Sequence, residues 1–114
     1  MKLSELINKI PMEVCSCSDC LKSTEFSGGV CSDLLSYVMA NAKEGNIWVT
    51  IQTHQNTVAV AKLLGLAAIV VAGGVGPEAA TLAKAESEGV VILQTSDSAF
   101  DFIKKISSVK EDCE

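Results

Sequence analysis

The sequence predicts an α/β fold, a three-layer sandwich with a mainly parallel sheet covered by helices. Three observations predict it. Short, wholly aliphatic runs at 47–51, 67–71 and 90–93 alternate with segments of helical periodicity, so 46–108 reads βαβαβα. Hydrophobic residues make up 48% of the chain but aromatics only 4%. Small aliphatics of that kind suit strands buried on both faces under helices. Finally, 114 residues leave room for one core. We expect one domain over residues 1–108 and a charged, frayed tail over 109–114.

The elements follow in order. Leu3, Leu6, Ile7 and Ile10 have helical spacing, with Ser4 as a candidate start and Pro11 closing the helix. Residues 12–15 suit a short strand, and the polar stretch 16–26 a loop. Ser27-Gly28-Gly29 signals a turn, with Val30 in a short extended piece. Leu34, Leu35, Val38, Met39 and Ala42 mark a helix for which Ser32 or Asp33 is the natural N-cap. Gly45 and Asn46 end it. Ile-Trp-Val-Thr-Ile from Ile47 is the first firm strand. Thr53 can cap a helix carrying Val58, Val60, Ala61, Leu63 and Leu64, closed by Gly65. The strand 67–71 leads through Gly73-Gly74-Val75-Gly76 to a helix with Pro77 at its first position and Glu78 in its first turn, ending at Gly89. After the strand 90–93, Ser96 or Asp97 caps a last helix holding Phe100, Phe102, Ile103 and Ile106.

Nine basic against fourteen acidic side chains leave a net charge of −5. That balance argues against nucleic acid as a partner, since a phosphate-backbone binder shows a basic face. The longest uncharged apolar stretch, 63–76, is interrupted by three glycines and is too short for a spanning helix, which needs about 20 residues. The first ten residues mix Glu5 with lysines and lack the apolar centre of a signal peptide. The expected location is therefore cytoplasmic, with no membrane partner and with cysteines as thiols or metal ligands.

Ligands of open parallel sheets sit beyond the carboxyl ends of the strands. Three loops fall there: Gln52-Thr53-His54-Gln55-Asn56, Ala72-Gly73-Gly74-Val75-Gly76, and Gln94-Thr95-Ser96-Asp97. Each leads into a helix N-terminus, where free amides and the helix dipole favour an anion. We expect a nucleotide-like ligand held by Gln52, Thr53, His54, Gln55, Asn56, Gly73, Gly74, Thr95 and Ser96, together with Ser27, Gly28 and Gly29. The bland reading is that the polar residues are caps and the glycines ordinary turns. These loops contain no lysine or arginine, so binding would rest on backbone amides. The glycine loop lacks the Gly-Lys-Ser/Thr ending of a phosphate loop, and it is not a dinucleotide fingerprint. His54 suits a general base, but no nucleophile pairs with it in the sequence, so no catalytic residue is assigned.

Cys15, Cys17 and Cys20 form a Cys-x-Cys-x-x-Cys cluster, with Cys31 further on and Cys113 in the tail. Four thiolates in one stretch would suit zinc or an iron–sulfur cluster. The spacing matches neither zinc-ribbon pairs nor a ferredoxin run. The alternative is free thiols, one of them redox-reactive.

Glu25-Phe26-Ser27-Gly28-Gly29, followed by Val30-Cys31-Ser32-Asp33-Leu34-Leu35-Ser36-Tyr37-Val38-Met39-Ala40, resembles the defining segment of the DRTGG domain. The stretches 48–56 and 68–74 are similar to stand-alone members as well, so the resemblance covers nearly the whole chain. Only Gly28 and Gly29 of the five-residue motif match. Glu25, Phe26 and Ser27 stand where the family has aspartate, arginine and threonine, and the cysteine cluster is not part of the family pattern. The resemblance implies a three-layer α/β domain, often dimeric, with a regulatory or interface role. Such domains accompany CBS domains in regulated pyrophosphatases and occur in phosphate acetyltransferases, and the N-terminal domain of HPr kinase is similar. Stand-alone members carry names such as iron–sulfur binding hydrogenase or serine kinase. The expectation is a non-catalytic regulatory module that binds a nucleotide-like anion as a homodimer. The alternative is an iron–sulfur or zinc accessory protein that meets a redox-protein partner through Cys15, Cys17, Cys20 and Cys31. Third comes an enzyme using His54.

Overall fold

Two runs form the centre of the sheet because every residue in them is buried. They are β3 (Ile47–Thr50) and β4 (Ala68–Val71). The computed structural model describes residues 1–112, with side chains to 109. Its elements are α1 (Leu3–Lys9), β1 (Glu13–Val14), a 3₁₀ turn (Ser18–Cys20), β2 (Gly29–Cys31), α2 (Leu35–Asn41), β3, α3 (Asn56–Leu64), β4, α4 (Ala79–Glu88), β5 (Ile92–Gln94) and α5 (Ala99–Asp112).

The sheet has five strands in the order β1-β5-β4-β3-β2. β2, β3, β4 and β5 are mutually parallel, and β1 runs antiparallel to β5. Each parallel strand lies beside the next one in sequence. Right-handed crossovers that always step in one direction put their helices on one face. Accordingly Val38 of α2, Val58 and Ala61 of α3 and Ala85 of α4 pack on Trp48, Ile69, Val71 and Ile92. The alternate strand residues Ile47, Val49, Ala68, Val70 and Leu93 meet Leu3 and Leu6 of α1 and Phe102 and Val109 of α5 on the other face. This period-two division gives the three layers. Each of the valine, leucine, isoleucine and phenylalanine side chains among them contributes about 1.5–3 kcal/mol when taken fully from water.

Several boundaries differ from the sequence expectation. Asp33 does not cap α2. Ser32 Oγ accepts from the Leu34 amide, while Asp33 Oδ1 accepts from Thr50 Oγ1 at 2.7 Å and from the Ile51 amide at 2.9 Å. The carboxylate thus ties the end of β2 to the end of β3. Ser98, rather than Ser96 or Asp97, receives the first-turn amide of α5, from Asp101. α4 begins at Ala79, past Pro77 and Glu78. Gly65 and Gly89 close α3 and α4 in the left-handed conformation, as expected. α5 continues through Asp112, and Val109 is buried against the core, so the first part of the expected tail is helix. Cys113 lies outside the described residues. Among these residues no helix is long and apolar enough to cross a membrane.

Candidate ligand-binding cleft

The carboxyl ends of β2 to β5 all point the same way, and β1 brings Met12 and Glu13 to the same end through its antiparallel pairing with Gln94. The parallel strands follow one another without reversal, but α4 and α5, which leave the adjacent strands β4 and β5, cover opposite faces, so the loops after these two strands diverge. An open cleft of about 490 Å³ lies there, at the β1–β5 corner. It is lined by Pro11, Met12, Glu13, Gly74, Gln94, Thr95, Ser96, Asp97 and Lys105.

Of the expected ligand residues, this cleft gathers Gly74, Thr95 and Ser96. The Gln52–Asn56 loop lies one strand further away and is engaged in holding the fold. Gln52 Nε2 donates to the Asp33 carbonyl. The Thr53 carbonyl accepts from Thr81 Oγ1 at 2.7 Å and from the Glu78 amide, so it fastens α4 rather than capping α3. His54, just before the N-cap Gln55, holds the start of α3: its Nδ1 accepts from the Asn56 amide at 3.2 Å and its carbonyl from Thr57 Oγ1. Gln55 and Asn56 are exposed at the start of that helix. The amides of Gly73 and Gly74 donate to the Asp97 and Thr95 carbonyls, at 2.7 and 3.1 Å. They brace the loop against β5 and are not free for an anion. Val75 and Gly76, next along, have no backbone acceptor among the described residues.

Ser27, Gly28 and Gly29 lie at the opposite end of the sheet. Gly29 pairs with Ile47 at the start of β3, and the Ser27 amide donates to Gly45. A strand of four residues separates them from the His54 loop by about 13 Å. They do not line one pocket with Gly74, Thr95 and Ser96: Gly28 and Gly29 border a different groove. A Cβ on Gly29 would stand 3.0 Å from the Ile47 carbonyl oxygen, so close strand approach explains that glycine. Gly28 and Gly29 line a smaller apolar groove of about 240 Å³ between β2 and α5, with Ile103 and Ile106.

Lys105 was not foreseen. It reaches the cleft from α5, and its Nζ lies 2.8 Å from Asp97 Oδ2. The loops hold no cation, but the cleft does. Glu13 and Asp97 face the same space, so the charge is mixed rather than uniformly positive.

The cysteines do not converge as a four-ligand set. β1 and β2 occupy opposite side edges of the sheet, about four strand spacings or 19 Å apart, which separates Cys15 from Cys31. Cys15 and Cys17 also fall in different halves of the core. Among the described residues no group of three or more His, Cys, Asp or Glu could hold a metal ion. Burial and then the Glu13 carboxylate raise Cys15, and burial and then Asp33 raise Cys31. Burial, followed by contact with the Glu86 carboxylate, pushes Cys17 up to about 12. The zinc or iron–sulfur expectation for Cys15, Cys17, Cys20 and Cys31 therefore finds no fitting donor set.

No family model matches the chain, and no curated protein matches it. Among solved structures it is similar to the CBS and DRTGG domains of the regulatory region of Clostridium perfringens pyrophosphatase, complexed with the activator diadenosine tetraphosphate. The TM-score is 0.74 at 15% identity, over 92% of this chain and 45% of that one. The chain shares its fold with part of that regulatory region. It spans less than half of the other chain's length.

Proposed function

We propose that the protein is a non-catalytic regulatory module that binds a nucleotide-like ligand in the β1–β5 cleft. The observation that carries this reading is the cleft itself, which sets Lys105, Gln94, Thr95 and Ser96 around an opening beside the glycine loop. A nucleotide offers hydroxyls as well as phosphates. Carboxylates such as Glu13 and Asp97 accept from ribose hydroxyls, as acidic residues do in dinucleotide sites. Lys105 and the hydroxyls of Thr95 and Ser96 take the phosphate end. With one lysine already paired to Asp97, affinity is modest, which suits a sensor more than an enzyme holding a phosphate for reaction. The shared fold with a regulatory region that was solved with a dinucleoside polyphosphate supports the same class of ligand.

The module acts as a homodimer in this reading. Leu34, Tyr37 and Met39 at α2, with Phe100 and Ile103 on α5, are exposed large apolar side chains. α2 and α5 cover opposite faces of the sheet. Calorimetric titration with ATP and with diadenosine tetraphosphate tests the ligand. Saturable heat that weakens in Lys105→Ala supports it, and no heat with either nucleotide counts against it.

A further inference from the structure

Cys17, Ser18, Asp19 and Cys20 form one tight turn. The Cys20 amide donates to the Cys17 carbonyl at 2.9 Å, closing a single 3₁₀ turn with Cys17 as its N-cap, and the two thiols interact with each other through their side chains. Both side chains belong to the α1–α5 half of the core. Cys17 is the one non-glycine residue with positive φ among the described residues, at 52°. This left-handed conformation costs an ordinary side chain about 1–2 kcal/mol. The surroundings hold it there: the Cys17 amide donates to Glu86 Oε2 at 3.0 Å, and its thiol donates to the Ala85 carbonyl at 3.5 Å. Cys17 is 3% exposed, whereas Cys20 is partly open to solvent.

We propose that Cys17 and Cys20 are a dithiol modification site that closes reversibly into a disulfide by exchange with a low-molecular-weight disulfide. Cys20, the accessible member, loses its proton to water and attacks one sulfur of the small disulfide. That S–S bond breaks, a Cys20 mixed disulfide forms, and the first small thiolate leaves and is protonated. The Cys17 thiol then gives its proton to the adjacent Glu86 carboxylate, which returns it to water. The Cys17 sulfur attacks Cys20, forming the internal bond and releasing the second small thiol. In total two protein thiols are oxidised and one small disulfide is reduced to two thiols. The high pKa of Cys17 keeps it from reacting first and makes it the resolving partner. Closure takes the Cys17 thiol off the Ala85 carbonyl, so the attachment of this turn to α4 changes with redox state.

The test is incubation of the full chain with oxidised glutathione, an acid quench, alkylation of the remaining thiols and peptide mapping. The expected wild-type product is the peptide 10–22 lighter by two hydrogens, with one of its three cysteines alkylated. Cys15→Ser and Cys31→Ser retain the bridge. Cys17→Ser accumulates a glutathione adduct on Cys20, and Cys20→Ser forms neither bridge nor adduct in this turn. A lasting glutathione adduct on Cys20 in the wild type, with Cys17 still alkylated, overturns the proposal. Loss of the bridge in Cys15→Ser overturns it equally. Because Cys15 and Cys20 are only partly buried, these variants keep the test decisive if Cys17→Ser fails to fold.

Discussion

Replacing Ser16 by alanine is expected to destabilise the fold far more than its position in a polar loop suggests. Ser16 is 3% exposed. Its Oγ donates to the Val90 carbonyl at 2.8 Å and accepts from the Ile92 amide at 2.8 Å. The hydroxyl therefore continues the β1–β5 ladder after the Cys15 amide has bonded the Ile92 carbonyl. Alanine leaves a buried donor and a buried acceptor unpaired, each costing about 1–3 kcal/mol. A combined loss of about 3 kcal/mol is a large fraction of the roughly 5–15 kcal/mol that stabilises a domain. At about 4 °C per kcal/mol it lowers Tm by about 12 °C. The single tryptophan, Trp48, is fully buried, so urea unfolding can be followed by its fluorescence. The midpoint should fall with the slope unchanged. Ser18→Ala, an exposed neighbour, should stay within about 0.5 kcal/mol of wild type. If Ser16→Ala also stays within about 0.5 kcal/mol, the hydrogen-bond reasoning fails.

Other outcomes follow from the same geometry. The Cys17 pKa is raised from its ordinary 9.0 to about 12, so its contribution to stability is complete below pH 9 and is lost as pH rises through that window. Relative to Cys17→Ser, the wild type should lose up to about 1.4 kcal/mol per pH unit there, read from urea midpoints. Lys105→Ala should weaken nucleotide binding about threefold to tenfold while changing stability by less than about 1 kcal/mol, since its ion pair with Asp97 is half exposed. Light scattering should give a dimer mass that falls to a monomer in a Leu34→Asp, Ile103→Asp double variant. A monomeric wild type would remove the dimer from the account.

Local pattern was enough to reveal the middle of the fold. β3 and β4 are uninterrupted aliphatic runs, and Gly65 and Gly89 mark helix ends that only a left-handed residue closes. The resemblance read from 25–40 and the fold shared with a CBS and DRTGG regulatory region also agree on architecture. What stayed hidden depends on pairing at long range. β2 spans only three residues and its direction is set by β3, so nothing local showed that Ser27-Gly28-Gly29 enters the sheet at the end opposite to His54. Asp33 looks like a cap in sequence, yet its carboxylate bonds Thr50 and Ile51, which the fold brings to it. Ser16 reads as loop because its partners are more than 70 residues away. Lys105 belongs to a helix whose spacing says only which face is buried, and its meeting with Asp97 depends on how α5 lies over the sheet.

Calorimetric titration of the reduced wild-type chain with diadenosine tetraphosphate, repeated on Lys105→Ala, tests the central claim most directly. The wild type should bind saturably and the variant clearly more weakly, because Lys105 is the cation of the β1–β5 cleft. Equal affinity in the two proteins, or no binding by the wild type, would contradict it.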